Sequence, residues 1–280
     1  MSGPISITRD GHVTWLKWHR GRRRLSDPVF TGKRILEAMA IGASIEVDLV
    51  VTGDKGFAVL HDKTLDRETT GQGPVAHTSD DVIRLLRLRD NDGAPIAEPV
   101  MLLDDLCTLM ASRSVHPDAL LQLDYKEDER PLDGRAIANF RRATLPVAKN
   151  IIVSSGSATA VKLLTDAVPG MKIGYDPCSD DNVANLRQTG DFATFVADAL
   201  AASPAAEMIY LAWEIVIEAD KAGYDMIGAF HADNRRVDCW TIKASDPASV
   251  ATVERLLALR ADQITTDDPE GLVAALGVPA

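Results

Sequence analysis

Short strand patterns alternate with helix patterns along most of the 280-residue chain, and this alternation strongly constrains the fold. The strand patterns are short apolar runs rich in β-branched residues, whereas the helix patterns repeat apolar residues at helical spacing. Such alternation predicts a parallel sheet covered by helices, and about eight strands, as here, are the number that closes into a barrel. We therefore predict an α/β fold, a (β/α)8 TIM barrel, as a single domain over residues 1–280.

The individual elements follow from the same patterns. Residues 62–99 are mostly turn formers and charges, so we predict a small insertion there, after the second strand, with one amphipathic piece at 80–88. Strands are predicted at 13–18, from 45, and at 119–126, 150–154, 171–175, 207–213, 236–242 and 263–266. Helices are predicted at 31–41, 102–111, 134–147, 159–167, 181–201, 214–233 with an interruption at Gly223, 247–260, and after Pro269.

An open, doubly wound sheet is the alternative architecture for alternating strands and helices. Such sheets usually place a glycine-rich phosphate turn, G-x-G-x-x-G, after the first strand. Here the first strand is followed by His19-Arg-Gly-Arg-Arg-Arg24, which is not that turn. The sequence therefore favours the closed barrel.

Charge and cysteine content narrow the class of partner. A formal net charge of −11 argues against a general affinity for nucleic acid or anionic membranes, so an anionic substrate needs a local basic site. The three cysteines are far apart and lack metal-ligand spacing, which fits free thiols in a reducing compartment. Residues 1–11 lack the apolar region of a signal peptide, and no later run could span a bilayer. We expect a cytoplasmic protein without stable membrane insertion; whether it forms a homo-oligomer stays open.

Two acids on the second predicted strand are the first sign of chemistry. Glu46 and Asp48 alternate with apolar residues, so both carboxylates point to one face of the strand. Two neighbouring like charges are costly to bury unless a cation meets them, and a bound metal ion commonly does so. A short apolar run then ends at His61, which places an imidazole near the two acids.

Further polar residues end other predicted strands. His19 and Arg20 follow the first strand, whereas Asp124 and Lys126 share a face at the end of the third. A barrel builds its active site from the carboxyl ends of its strands, so we expect these groups to meet. Three carboxylates suit a hard divalent cation, two imidazoles suit proton transfer, and two cations suit an anionic group. A phosphate diester is the substrate class that uses all three kinds of group.

Motifs spread over nearly the whole chain resemble those of the glycerophosphodiester phosphodiesterase family. The resemblance is carried by His19-Arg20-Gly21, Gly42-x-x-x-Glu46-x-Asp48, His61-Asp62-x-x-Leu65-x-Arg67-x-Thr69-x-Gly71-x-Gly73, the acid-x-lysine pattern of Asp124 and Lys126, Trp240-Thr241, and Thr266-Asp267-x-Pro269.

The resemblance implies a TIM barrel with a small insertion, and it implies site roles. Glu46, Asp48 and Asp124 would be ligands of Mg²⁺ or Ca²⁺, and His19 and His61 would be the general acid and base, in an order that the sequence leaves open. Arg20 and Lys126 would hold the phosphoryl oxygens. The implied reaction is hydrolysis of a glycerophosphodiester, or a related sugar diester, to an alcohol and a phosphomonoester.

Two positions depart from the family pattern. Ser26-Asp-Pro-Val-Phe-Thr31 stands where the family usually carries Glu-Asn-Thr, and Asp124 stands where it usually carries glutamate. An aspartate-x-lysine also occurs in the related sphingomyelinase D group. The alternatives are therefore a phospholipase D-like enzyme acting on lysophospholipid or sphingolipid head groups, and a non-catalytic barrel that binds phosphodiesters.

Three other residues are candidates for the substrate pocket. Trp240 lies on a late strand, where it would belong either to the barrel core or to the pocket wall. Arg22 and Arg23 belong to a basic run that either is solvated or reads a second anionic group on the substrate.

Overall fold

The computed structural model describes residues 5–277, so the predictions for residues 1–4 and 278–280 lie outside the described part of the chain. The strands are β1 (Ser6–Arg9), β2 (His12–Trp18), β3 (Ser44–Val51), β4 (Phe57–Ala58), β5 (Arg87–Arg89), β6 (Pro95–Pro99), β7 (Leu120–Tyr125), β8 (Ile151–Ser154), β9 (Lys172–Tyr175), β10 (Met208–Ala212), β11 (Arg236–Ile242) and β12 (Gln263–Thr266).

The α-helices lie mainly between these strands. They are α1 (Gly32–Ile41), α2 (Asp80–Leu85), α3 (Leu103–Ala111), α4 (Gly134–Thr144), α5 (Ala158–Asp166), α6 (Asp180–Thr189), α7 (Phe192–Ala202), α8 (Trp213–Lys221), α9 (Met226–Ala232), α10 (Pro247–Ala258) and α11 (Pro269–Ala275). No helix among residues 5–277 has the length and apolar character required to cross a membrane.

Eight parallel strands close into a barrel. In order these strands are β2, β3 and β7 to β12, and each pairs with the next. The last strand, β12, pairs with β2 in parallel, with Gln263 opposite Trp15 and Thr266 opposite Trp18. This pairing closes the circle and confirms the predicted (β/α)8 TIM barrel.

The alternation within β3 positions the site. All eight of its residues are buried. Ile45, Val47 and Leu49 belong to the apolar core that includes residues of the surrounding helices. Because successive side chains alternate between faces, Glu46 and Asp48 point into the barrel.

A buried polar network fills the barrel interior beside these acids. The Lys17 ammonium donates to Gln122 Oε1, lies 3.2 Å from Asp238 Oδ2, and sits 4.2 Å from the centre of the Tyr210 ring. Thr265 Oγ1 donates to the other Asp238 oxygen at 2.7 Å. The network pairs the buried Lys17 ammonium with the Asp238 carboxylate through contacts from several strands, which favours a single arrangement of the interior.

The insertion after β3 and β4 is more ordered than its sequence indicates. It contains α2, within the predicted amphipathic piece, and an antiparallel hairpin of β5 and β6 that the strand patterns did not predict. The reason is that β6 begins and ends with proline, a residue that counts against a strand. Asp90 Oδ1 accepts the backbone N–H groups of Asp92 and Ala94 and so shapes the hairpin turn.

Two long helical predictions are each divided by a glycine. The predicted helix at 181–201 is two helices, because Gly190 adopts φ +65° after α6 and Asp191 then caps α7 by accepting the N–H of Thr194. Gly223, at φ +81°, separates α8 from α9 as expected. A short strand that was not predicted, β1, pairs antiparallel with β2.

Candidate active site

A tight turn after β2 brings the first motif against β3. His19–Gly21 form a single 3-10 turn in which Arg20 has φ +52° and Gly21 has φ +73°. A side chain at Gly21 would be disfavoured by this φ, and its Cβ would lie 3.2 Å from Ile35. The turn directs the backbone N–H of Arg20 to Glu46 Oε2 at 2.9 Å.

Three carboxylates gather at the carboxyl ends of β3 and β7. Oxygens of Glu46, Asp48 and Asp124 all lie within 4.8 Å of one another. Asp48 is fully buried, and neither of its oxygens has a hydrogen bond in the described part of the chain. Two cations face it instead, with Arg20 Nε 2.9 Å from one oxygen and Lys126 Nζ 2.8 Å from the other. Lys126 also contacts Asp124.

The carboxylate cluster perturbs the titration of its members in opposite directions. Burial and the neighbouring charge of Asp48 raise the pKa of Glu46 well above its usual value. Burial alone would raise the pKa of Asp48, but Lys126 and Arg20 outweigh burial and lower it. The pKa of Lys126 is raised because the carboxylates outweigh the effect of its burial. Oxygen ligands with unsatisfied buried lone pairs are the donors that Mg²⁺ and Ca²⁺ prefer, so the cluster fits a divalent cation.

His19 is oriented by a carboxylate from the far end of the chain. Its Nδ1 lies 2.7 Å from Asp267 Oδ1, and its Nε2 lies 3.9 Å from Glu46 Oε2. Burial lowers the pKa of His19, although Asp267 opposes this shift. Arg22 Nη1 lies 3.1 Å from the same Asp267 oxygen. From the sequence, Asp267 was noted only as part of a motif. Its position directly after the last predicted strand could have indicated a role in the site.

His61 is oriented by its own loop. Its Nδ1 lies 2.8 Å from Asp62 Oδ1, and Asp62 is held by two contacts of 2.6 Å from Arg67. The hydrogen bonds from Arg67, helped by His61, outweigh burial and lower the pKa of Asp62 to about 2, so this carboxylate is ionised at neutral pH. Glu68 Oε2 accepts the backbone N–H groups of both His61 and Asp62, which fixes the loop. The site therefore has two imidazoles, each backed by a carboxylate through Nδ1.

Most of the predicted site residues line one cavity of about 220 Å³. Asp48 is buried and, like Arg22 and Arg23, is not among the lining residues of this cavity. Arg23 pairs instead with Glu37 and Glu270. The predicted residues that line the cavity are His19, Arg20, Glu46, His61, Asp124, Lys126 and Trp240.

The cavity is also lined by residues that were not predicted from the sequence. Asp176 follows β9 directly, and burial together with the charge of Asp124 raises its pKa to about 7. Lys243 lines the same cavity after β11. Ser154 lies next to the cluster and donates to Asp124 Oδ1 at 2.7 Å. Asp176 has a signal in the sequence, because it is an acid at the carboxyl end of a barrel strand.

One cavity thus brings together side chains of the kinds that bind anions, coordinate a divalent cation and transfer protons. A scan against protein-family models matches residues 31–271 to the Glycerophosphoryl diester phosphodiesterase family. A comparison with curated proteins found no match.

Solved structures share the fold at low sequence identity. A glycerophosphodiester phosphodiesterase from Agrobacterium tumefaciens is 20% identical, with a TM-score of 0.65 over 93% of this chain and 99% of that chain. A glycerophosphoryl diester phosphodiesterase from Parabacteroides distasonis is 16% identical, with a TM-score of 0.66 over 98% and 90%. An Oleispira antarctica phosphodiesterase, solved with the product sn-glycerol-3-phosphate, is 16% identical, with a TM-score of 0.59 over 94% and 96%. With a family match from residue 31 to residue 271, the chain belongs to the glycerophosphoryl diester phosphodiesterase family.

Proposed function

We propose that the protein is a metal-dependent glycerophosphodiester phosphodiesterase that releases an alcohol and a phosphomonoester. The observation that carries this proposal is a single cavity lined by His19, His61, Glu46 and Asp124. Each of the two imidazoles contacts a carboxylate through Nδ1. The family match and the product-bound Oleispira antarctica phosphodiesterase support the class of substrate.

His19 and His61 are the proposed proton carriers. In each ring Nδ1 contacts a carboxylate, which leaves Nε2 as the nitrogen available to a substrate. One imidazole takes the proton of the hydroxyl that attacks phosphorus, and the other donates a proton to the leaving alkoxide. If the attacking hydroxyl belongs to the substrate, the product is a cyclic phosphate, which water opens with the two proton roles reversed.

The cationic residues and the acids have different proposed roles: the cations bind the phosphoryl group, and the acids bind a metal ion. Arg20 and Lys126 are proposed to hold phosphoryl oxygens, since both line the cavity beside the cluster. A Mg²⁺ or Ca²⁺ ion held by Glu46, Asp48 and Asp124 would supply further positive charge opposite the phosphoryl group. Trp240 is proposed to form an apolar part of the wall against the substrate.

We also propose a cytoplasmic location. The three cysteines are free, and Cys107 and Cys239 are buried. Burial raises the pKa of the Cys107 thiol to about 12, which makes it unreactive at neutral pH. Free thiols of this kind are common in reducing compartments.

A panel of diesters tests the proposed function. Purified protein is assayed with glycerophosphocholine, glycerophosphoethanolamine, glycerophosphoinositol and lysophosphatidylcholine, each with Mg²⁺, with Ca²⁺ and with EDTA. We expect hydrolysis of a glycerophosphodiester that EDTA abolishes and added metal restores. Preferential cleavage of the lysolipid would support the phospholipase D-like alternative, and folded, metal-loaded protein that cleaves none of them would support the non-catalytic barrel.

Variants of the cluster test the metal site itself. Glu46→Gln removes one proposed ligand charge, so we expect at least about tenfold weaker binding of Mg²⁺ or Ca²⁺ by calorimetry, with a parallel loss of turnover. Glu254→Gln, a half-exposed surface glutamate, is the control and leaves both unchanged. Full activity of Glu46→Gln in EDTA would contradict the metal-dependent mechanism.

A further inference from the structure

A second, larger cavity adjoins the active site and is rich in arginine. It encloses about 490 Å³ between the first loop and the insertion. Arg20 lines both cavities, so the two are neighbours. We term this cavity the arginine groove; its other polar and charged lining residues are Arg22, Arg67, Glu68, Arg89, Asp90 and Asn91.

The hairpin of the insertion builds one wall of this groove. Arg22 Nη2 donates to Asn91 Oδ1 at 3.0 Å, and Asn91 Nδ2 donates to the carbonyl of Leu25 at 3.1 Å. These contacts hold the hairpin turn against the loop that follows β2. The groove is thus formed by two segments that the sequence places far apart, at the position where the family's usual Glu-Asn-Thr step is replaced.

The charges in the groove are unequally neutralised. Arg67 is paired with Asp62 and Glu68, whereas the carboxylate of Asp90 accepts backbone N–H groups. Arg89 donates only to the carbonyls of Thr69 and Gly93, at 2.6 and 2.8 Å, and forms no ion pair within residues 5–277.

Arg22 is the second arginine of the groove, and not all of its guanidinium nitrogens are hydrogen-bonded in the described part of the chain. It shares Asp267 with His19, and its Nε is buried without a hydrogen bond in the described part of the chain. Arg23 and Arg24, by contrast, both pair with Glu270 and do not line the groove. The groove therefore presents the Arg89 guanidinium, which has no ion pair among residues 5–277, together with Arg22, whose ion-pair partner Asp267 also contacts His19, in a protein of net charge −11.

We propose that the arginine groove binds a second phosphate, carried on the alcohol portion of the diester substrate. Guanidinium groups offer paired N–H donors that match phosphate oxygens, and a half-buried site strengthens the pairing. Arg89 and Arg22 thus act as specificity residues, which select diesters whose leaving alcohol is itself phosphorylated. This inference rests on the proposed phosphodiesterase function and adds the substrate's second charge to it.

A matched pair of substrates tests the inference. Glycerophosphoglycerol is compared with the same diester bearing a phosphomonoester on its leaving glycerol. We expect wild-type protein to prefer the phosphorylated diester, and Arg89→Gln to lower the ratio of the two kcat/KM values about tenfold, the scale of one lost charge-assisted contact. Arg87→Gln is the control: Arg87 lies on the same strand, is exposed, donates to the carbonyl of Ala97 and does not line the groove.

A conservative variant separates charge from geometry. Arg89→Lys keeps the positive charge but loses the paired donors, so its ratio of kcat/KM values is expected between those of wild type and Arg89→Gln. An unchanged ratio in Arg89→Gln, with glycerophosphoglycerol still hydrolysed, overturns the groove proposal and leaves the phosphodiesterase function standing.

Binding measurements keep the two proposals distinguishable. Pyrophosphate is titrated by calorimetry into EDTA-treated wild type, Arg89→Gln and Arg87→Gln. If pyrophosphate binds at least fivefold more weakly to Arg89→Gln, and not to Arg87→Gln, the groove proposal is supported. It is supported even if the protein cleaves neither diester, because the absence of cleavage would refute only the proposed activity. If Arg89→Gln instead reduces cosedimentation with phosphatidylglycerol vesicles while the substrate ratio is unchanged, the groove binds a lipid head group and the substrate proposal is overturned.

Discussion

Asp267 offers a sharp test of how the site works, because it acts on His19 without lining the cavity. Its Oδ1 lies 2.7 Å from His19 Nδ1, and burial of the imidazole makes this contact a shielded one. Asp267→Asn keeps the shape of the side chain but removes the charge. The amide can present its NH₂ group to the ring and so favour the wrong tautomer, in which Nε2 carries the proton.

The magnitude follows from the type of contact. A hydrogen bond to a charged group contributes roughly 1.5–3 kcal/mol, and each 1.36 kcal/mol is a factor of ten in rate, so kcat should fall about 10- to 150-fold. Asp267 raises the pKa of His19 against the effect of burial. Its removal therefore lowers that pKa further, and the limb of the pH–rate profile that reports His19 should move to lower pH.

The chain contains a matched control for this substitution. Asp262 Oδ2 lies 2.8 Å from His231 Nε2, another histidine–aspartate pair, whose residues do not line the active-site cavity. Steady-state kinetics over pH are measured for Asp267→Asn and Asp262→Asn, with circular dichroism to verify folding. A folded Asp267→Asn protein with kcat within twofold of wild type, or an equal loss in Asp262→Asn, would refute the role assigned to Asp267.

Two further predictions concern stability. The pKa of Asp62 is about 2 in the folded protein, whereas the ordinary value is 3.8. The stability that Asp62 contributes is therefore present above pH 3.8 and is lost as the pH falls through about 2. Urea unfolding between these two pH values should show a smaller loss of stability in Asp62→Asn than in wild type. Gly21→Ala should lower the unfolding free energy by about 1–2 kcal/mol, because φ is +73° and Ile35 lies close to the added methyl group. Gly134→Ala, where an added Cβ meets no atom within 4 Å, is the control; equal melting temperatures of the two variants would contradict this reasoning.

The barrel was predictable because its signals are local. Each strand is a short apolar run, and each helix has its own periodicity, so their alternation can be read without knowledge of distant contacts. The clustering of Glu46, Asp124 and His19 was predictable for a related reason. In a closed parallel barrel all carboxyl strand ends lie on one face, so topology alone brings such residues together.

The remaining features depend on contacts between distant segments. The β5–β6 hairpin contains prolines at both ends of β6, and these residues count against a strand in the sequence. The hairpin packs against the first loop through Asn91. The division at Gly190 depends on one left-handed residue inside an apolar pattern that is otherwise continuous. Asp267 and Asp176 are distinguished only by the groups near them from other strands, the imidazole of His19 and the carboxylate of Asp124.

The two imidazoles are supported by unlike parts of the molecule, and this difference has a consequence. His61 is held by Asp62 and Arg67 within one loop, so its orientation depends mainly on local structure. His19 is held by Asp267, which follows β12, and the contact exists only because β12 pairs with β2 to close the barrel. The family match begins at residue 31, after His19, yet the direct pairing of β2 with β3 brings His19 Nε2 to within 3.9 Å of Glu46 Oε2 inside the matched region. Loss of closure at the β12–β2 seam would therefore disable His19 before it disturbed His61, which makes completion of the barrel a condition for assembling the pair.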